Sequence, residues 1–408
     1  MKNLWILNHY AQEPSGAGGT RHFHLAEHLK IHGWATTIIA SSIDYQTGKQ
    51  RLLPNENYKI TDINQVSYLW LRTPDYKGNG SGRIKNMLSY TYRALVPNTT
   101  KPLAKPDIII GSSVHPFAAW AGAMLARRYK VPFIFEVRDL WPQTLIDLGH
   151  LKEKSAITWI LQKLETWLYR ESSKIIVLLP KAHEYITPQG IDSENIIWIP
   201  NGVDIHLFPK KIYTPSKQSE FTLMYFGAHG QANGLDNLLQ AMKLLQGMSN
   251  TSSIKLRLVG DGPLKKSLIQ RAQKLTLKNI SFEEPVPKKH IPILSSEADA
   301  FIITVPDRGK LYHYGISPNK LFDYLASQRP IIFSGDTANN PVKDAQAGLT
   351  VPPENPQALA LAILELSQMP FEIRKQMGIN GRRYVEKNHS FDQLAKRLAN
   401  TLNKTLIM

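Results

Sequence analysis

The sequence predicts an α/β chain of two doubly wound domains, each built on a parallel sheet, and three observations lead there. The chain has 408 residues, room for two domains of roughly 200 each. Short, nearly unbroken apolar runs such as "DIII" and "KIIVLL" alternate with segments whose apolar positions recur at helical spacing. Strands buried on both faces and amphipathic crossover helices read that way. The alternation stops at the polar stretch "TPSKQSE" and then starts afresh.

In the first half, strands are predicted at Asn3–Asn8, Ala35–Ala40, Val66–Arg72, Asp107–Ile110, Val131–Val137, Lys174–Leu179 and Ile196–Pro200. Helices fall between several of them, at Thr20–His32, Pro116–Tyr129 and Ala156–Glu171. In the second half, strands are predicted at Phe221–Phe226, Ile254–Val259, Ile280–Glu283, Ala300–Thr304, Ile331–Phe333 and Leu349–Val351. Its helices are Leu235–Gln246, Pro263–Leu275, Pro318–Ala326, Pro356–Gln368 and Phe371–Asn388, and a last amphipathic helix covers about Phe391–Leu402. The seam falls near Asn201–Pro215, which gives domains at 1–202 and 203–388 and a C-terminal helical segment, 389–408, that could cross back to the first domain. For such a pair the expected site is a central cleft at the carboxyl ends of the strands.

Composition excludes several classes of function. With 42% hydrophobic and 20% charged residues, the chain is neither disordered nor fibrous. No apolar run approaches the ~18 residues a membrane helix needs. The start, "MKNLWILNHY", is too short an apolar stretch for a signal peptide, so the cytosol is the expected compartment. The absence of cysteine excludes disulfides and thiolate metal sites. Lys and Arg outnumber Asp and Glu by 49 to 33, a net charge of +16, which favours polyanionic partners: nucleic acid, anionic lipid or phosphorylated substrates. The basic residues are scattered and match no nucleic-acid motif. His24, His28 and His32 repeat at helical spacing, but the outer two lie about 12 Å apart at ~1.5 Å rise per residue, too far to share an ion. No metal site is expected.

Three features mark candidate site residues, and the first two suit a phosphorylated substrate. The loop "EPSGAGG" follows the first strand and precedes a helix, so Gly16, Gly18 and Gly19 imply a close backbone approach beside free N–H groups, or simply a tight turn. In the second half, Ser317-Pro318-Asn319-Lys320 opens a helix with proline at a first-turn position, and free N–H groups beside an ammonium suit a diphosphate. His115 ends one strand and Arg138-Asp139 end the next; each has both a structural reading, as a cap or an ion pair, and a cleft-facing one.

These motifs occur in an order that resembles a known family. "GGTRHFHLAEHL", "GSSVHPF", "RDLWP", "IPNGVD", "LVGDGPLKKSL" and "GISPNKLFDYLASQRPIIFSG" look like those of a family 4 glycosyltransferase of the two-domain GT-B fold, nearly end to end. The forms of "RDLWP" and "SPNK" are most similar to the branch that builds bacterial surface polysaccharides, including O-antigen, on a lipid carrier. The resemblance implies a retaining, metal-independent transfer from a nucleotide sugar, with uridine the favoured base, to a polyprenyl-diphosphate-linked saccharide. The first domain would be the acceptor side, and no cofactor or nucleic acid would take part.

The resemblance also implies roles. Gly18 and Gly19 lie near the leaving diphosphate and the acceptor, and His115 touches the donor sugar. Arg138 and Asp139 contact substrate, Ser317, Pro318, Asn319 and Lys320 hold the diphosphate, and Asp323 accepts the ribose hydroxyls. The chain departs from the family where Gly315 replaces the first acid of a paired-acid motif and where Ala228 and Asn233 replace a basic pair. Lys320, Arg308 and Lys310 are the available substitutes for that charge. A nucleotide-sugar 2-epimerase on the same fold remains an alternative, as does a non-enzymatic nucleic-acid-binding protein.

Finally, Ser81–Pro97 reads as a basic amphipathic helix, with Ile84, Met87, Leu88, Thr91 and Leu95 in a stripe flanked by Arg83, Lys85 and Arg93. Either it packs on the sheet, or it lies on an anionic membrane surface at the cytosolic face.

Overall fold

The computed structural model describes residues 1–407 apart from 17–18, 46, 77, 79, 210–219, 250 and 308–311. The chain divides into two units, Met1–Pro200 with Phe391–Met408, and Asn201–Ser390.

Unit 1 is built on β1 (Lys2–Leu7), β2 (Trp34–Ser41), β3 (Tyr58–Ile63), β4 (Val66–Leu71), β5 (Ile108–Ser112), β6 (Phe133–Val137), β7 (Lys174–Val177) and β8 (Ile196–Trp198). The sheet order is β3-β4-β2-β1-β5-β6-β7-β8, parallel throughout except for β3 against β4. β5 and β6 are buried along their whole length, as their unbroken apolar runs require. β3 escapes the sequence pattern because it is a polar edge strand, "YKITDI", none of whose residues is buried and in which Lys59, Ile60 and Asp62 are exposed. Asn64 and Gln65, both at positive φ, turn it tightly into β4. The C-terminal helix Phe391–Ile407 packs on this unit, with Leu394, Leu398 and Leu402 in one cluster with Leu25, Leu29 and Trp34.

Unit 2 carries β9 (Phe221–Phe226), β10 (Ile254–Val259), β11 (Ile280–Glu283), β12 (Ala300–Thr304), β13 (Ile331–Ser334) and β14 (Gly348–Val351), all parallel in the order β11-β10-β9-β12-β13-β14. Its two apolar clusters bury Phe301, Phe333 and Tyr324, and Leu238, Leu256 and Ile363, with no exposed surface on any of the six.

In each sheet the chain reverses direction about one strand. β1 lies between β2 and β5, and β9 between β10 and β12. The loops that leave those strands part to opposite sides there, which opens a crevice at the carboxyl edge where ligands of such sheets bind.

Candidate functional site

At the carboxyl edge of the unit 2 sheet the helix Asn319–Ala326 begins one residue after the predicted start, with Pro318 as its N-cap, and no described side chain caps it. Its first N–H groups and the dipole end are therefore open to an anion. Lys320 folds back across the loop after β9. Its Nζ donates to Tyr225 Oη (2.7 Å) and to Asn233 Oδ1, and lies 4.2 Å from the centre of the Tyr225 ring. Enclosure among uncharged groups draws the ammonium down to about 7. Gly227, at φ +148°, makes this possible, since a Cβ there would lie 3.1 Å from Lys320 Cδ. Asn233, which stands where a family basic residue is expected, is thus bonded to Lys320, and its Nδ2 also donates to Ala228 O at 2.8 Å. Arg308 and Lys310 lie outside the described residues.

Ser317 is occupied locally. Its Oγ accepts from Asn201 N–H (2.9 Å) and its carbonyl from Asn201 Nδ2 (2.7 Å), which ties "IPNGVD" to the helix start. Asn319 is exposed. Gly315 contributes only backbone, at φ +106°, and the segment after it is held by Asn339, whose side chain bonds both Ile316 N–H and Ile316 O. Asp323 is buried, and both its oxygens accept from Lys288 Nζ, at 2.9 and 2.8 Å. Sequence reasoning missed Lys288, since nothing in "VPKKHIP" ties a lysine to a carboxylate 35 positions on.

It also missed His229. This ring has no exposed surface, and neither of its nitrogens has a partner among the described residues. Burial lowers its pKa, and the nearby Lys265 and Lys320 charges act the same way against Asp261 and Glu284.

At the carboxyl edge of unit 1, β1 and β5 bring two histidines together. His115 is the N-cap of the helix Pro116–Tyr129, and its Nδ1 accepts from Ala118 N–H at 3.2 Å. The network therefore assigns the ring proton to Nε2, which donates to His9 Nδ1 at 2.6 Å. Both rings are fully buried. Burial and then the Arg83 charge lower His115 to about 3, and burial and His115 hold His9 well below its ordinary value. Here the cap reading of His115 describes the ring: it has no free nitrogen for a sugar.

Gly19 is at φ +64°, with a Cβ position 3.0 Å from Gln12 Cγ, so the loop does need glycine there; Gly18 lies outside the described residues. Arg138 is half-buried and its N–H donates to Ser113 Oγ (3.1 Å), whereas Asp139 is exposed. Among the described residues no ion pair joins them, although desolvation raises the Asp139 carboxyl and the Arg138 charge acts against that rise. The charge beneath this edge is instead Glu136, an acid inside an apolar strand. It binds Arg21 (3.0 Å), His22 (2.6 Å) and Ser112 Oγ (2.7 Å). Burial alone would raise its carboxyl, but His22 and Arg21 hold it well below the usual range.

The helix Ser81–Leu95 corrects the stripe read from sequence. Met87 and Thr91 face inward with Asn86, Tyr90 and Ala94, while Ile84 and Leu88 are exposed. Tyr90 stacks on His9 with ring centres 4.5 Å apart. Arg83 Nε donates to Tyr10 Oη (3.1 Å) and Arg93 Nη1 to Asn57 Oδ1 (3.0 Å), so two of the three basic residues serve the fold. Two members of the histidine row meet the C-terminal helix: His24 stacks on Phe391 at 4.9 Å and His28 Nε2 lies 3.4 Å from Asp392. Among the described residues no helix is long and apolar enough to cross a membrane.

Comparison with known proteins fits both halves. The model of the glycosyl transferase 4-like domain matches residues 16–202, and that of the glycosyl transferases group 1 matches residues 220–369. A probable glycosyltransferase of Pseudomonas aeruginosa, WbjE, is 22% identical over 64% of this chain and 66% of its own length, just under two thirds. Among solved structures, sucrose-phosphate synthase from Thermosynechococcus elongatus superposes with a TM-score of 0.76 at 16% identity, covering 100% of both chains. The Anabaena HepE protein in complex with UDP and glucose gives 0.65 at 15% identity, over 99% of both. These likenesses show the GT-B fold, whose glycosyltransferases take the nucleotide sugar as substrate and generally need no metal. With one model matching each half, the chain belongs to the family 4 glycosyltransferases.

Proposed function

We propose that this enzyme transfers a hexose or N-acetylhexosamine, with retention, from a UDP-sugar to a polyprenyl-diphosphate-linked saccharide in the assembly of a bacterial surface polysaccharide such as O-antigen. It works as a peripheral protein on the cytosolic face of the membrane. The observation that carries the reading is the uncapped helix start at Asn319 with Lys320 folded under the Gly227 loop. Open N–H groups and a cation that gains full charge beside a phosphate stabilise a departing diphosphate without a divalent ion. On the same face the leaving phosphate takes the acceptor proton, so no protein base is required.

Asp323 accepts the ribose hydroxyls while it shares its oxygens with Lys288. Ser317 acts through its backbone N–H, and Pro318, which has none to donate, acts by fixing the chain where it enters the helix. On unit 1, Gly18, Gly19, Arg138 and Asp139 contact substrate, and His115 does so when its Nε2 leaves His9. Two bound neighbours support a uridine donor: HepE is described in complex with UDP-glucose, and a trehalose-6-phosphate structure from E. coli is bound with UDP-2-fluoro glucose.

A thermal-shift panel of UDP- and GDP-sugars tests the donor, because a ligand of the folded state raises stability as RT ln(1 + [L]/Kd). One UDP-sugar should stabilise, and that sugar should then move, anomeric configuration retained, to a polyprenyl-diphosphate saccharide. Release of an epimerised free nucleotide sugar without acceptor would overturn the transferase reading.

A further inference from the structure

We propose that the start of the helix Ala156–Glu171, with the loop before it, is the surface that lies on an anionic phospholipid bilayer. The inference rests on the lipid-linked acceptor proposed above and names the face that reaches it. Ile157, Trp159 and Ile160 are 61%, 61% and 56% exposed, and Leu148 in the preceding loop is 42% exposed. The helix does not need them for packing, because Thr158, Leu161, Glu165 and Leu168 already form its buried face. Single exposed apolar side chains are ordinary, but a cluster that includes a tryptophan marks an interaction site.

Charge selects the occupant. Lys152, Lys154 and Lys163 are exposed around the cluster against one acid, Glu153. Lys163 Nζ lies 5.7 Å from the centre of the Trp159 ring, so its stem runs along the apolar surface and its head reaches out. Protein–protein interfaces are depleted in lysine. A bilayer of anionic lipid takes this combination: apolar side chains at the acyl boundary, tryptophan at the headgroup level and ammonium groups against phosphate. β6 and β7 are parallel, so the helix between them starts at the carboxyl edge of the sheet, the edge that also carries His9 and His115. Docking this face therefore sets the headgroups beside the unit 1 loops assigned to substrate.

Flotation of the full chain with phosphatidylcholine vesicles, with and without phosphatidylglycerol, tests the assignment. Wild type should float only with the anionic lipid and less as salt rises. Combined Ile157→Ser, Trp159→Ser and Ile160→Ser should lower the apparent partition at least about tenfold, with nucleotide binding and melting temperature kept. Serine at Lys152, Lys154 and Lys163 should weaken it by about fivefold each, whereas Ile84→Ser with Leu88→Ser should leave it unchanged. Equal flotation of the apolar triple variant would sink this face and leave the peripheral-membrane reading standing. No flotation of wild type on any vesicle would sink both, while transfer to a water-soluble acceptor would still report on the donor chemistry. A wild-type dimer in sedimentation that the triple variant dissolves would assign the face to a second copy and overturn the proposal.

Discussion

Lys320 carries a cation that the loop after β9 lacks, and its placement sets what its loss should do. Lys320→Ala should slow sugar transfer by roughly ten- to a hundredfold, since a charge-assisted contact is worth about 1.5–3 kcal/mol, with the melting temperature changed by only a few degrees. Steady-state kinetics equal to wild type would remove Lys320 from the diphosphate. Asp323 and Lys288 form one unit, bonded through both carboxylate oxygens. Asp323→Ala and Lys288→Ala should each weaken UDP binding, and the double variant should bind no worse than the weaker single one. Additive losses in calorimetry would mean that the two act separately.

His115 and His9 stay neutral when folded, at ring pKa values below their ordinary one. The unfolded chain takes up protons near pH 6.5 that the native state refuses, so their contribution is complete above that pH and is lost as pH falls. As pH falls from 6.5 toward 5, each ring should lower the unfolding free energy with a slope that rises toward about 1.4 kcal/mol per pH unit. His115→Asn, which can still cap Ala118, should flatten that slope in urea titrations.

At the scale of elements, close backbone approach decides where helices sit. Gly378, inside the helix Phe371–Asn388, would place a Cβ 2.1 Å from the carbonyl oxygen of Gln328, at the end of the helix Asn319–Ala326. Backbone cannot step aside as a flexible side chain can, so Gly378→Ala should destabilise the protein by about 1–3 kcal/mol. Because the displaced helix is the one that starts at Asn319, UDP affinity should fall as well. Denaturant midpoints and calorimetry read the two losses, and an unchanged midpoint would show that the helices part freely.

For the whole molecule, the C-terminal segment belongs by packing to the unit that begins the chain. Leu394, Leu398 and Leu402 are wholly or almost wholly buried in unit 1. Deleting 391–408 should expose Leu25, Leu29 and Trp34 and lower the stability of unit 1, at about 2–5 kcal/mol for each large apolar side chain removed from the cluster. Nucleotide binding, which we propose to rest on unit 2 residues, should persist. Calorimetry that shows loss of UDP binding together with intact unit 1 unfolding would reverse the assignment.

The sequence by itself determined the alternation of strands and helices, and several bounds coincide, as at Phe221–Phe226, Pro116–Tyr129 and Phe371–Asn388. Parallel strands buried on both faces leave long apolar runs, and glycine turns and uncapped helix starts leave short local signatures. β3 left none, because an edge strand half in water needs no apolar run. Only the tertiary structure decided which side chains meet: Lys288 with Asp323, His9 with His115, Asn233 with Lys320, Arg83 with Tyr10. Each pair joins residues far apart in the chain, so its geometry depends on strand order and helix placement and not on local spacing. The same holds for the helix Ser81–Leu95, whose inward face was settled by the neighbours it packs on. Periodicity marks an amphipathic helix, but only the fold states which of its faces is covered.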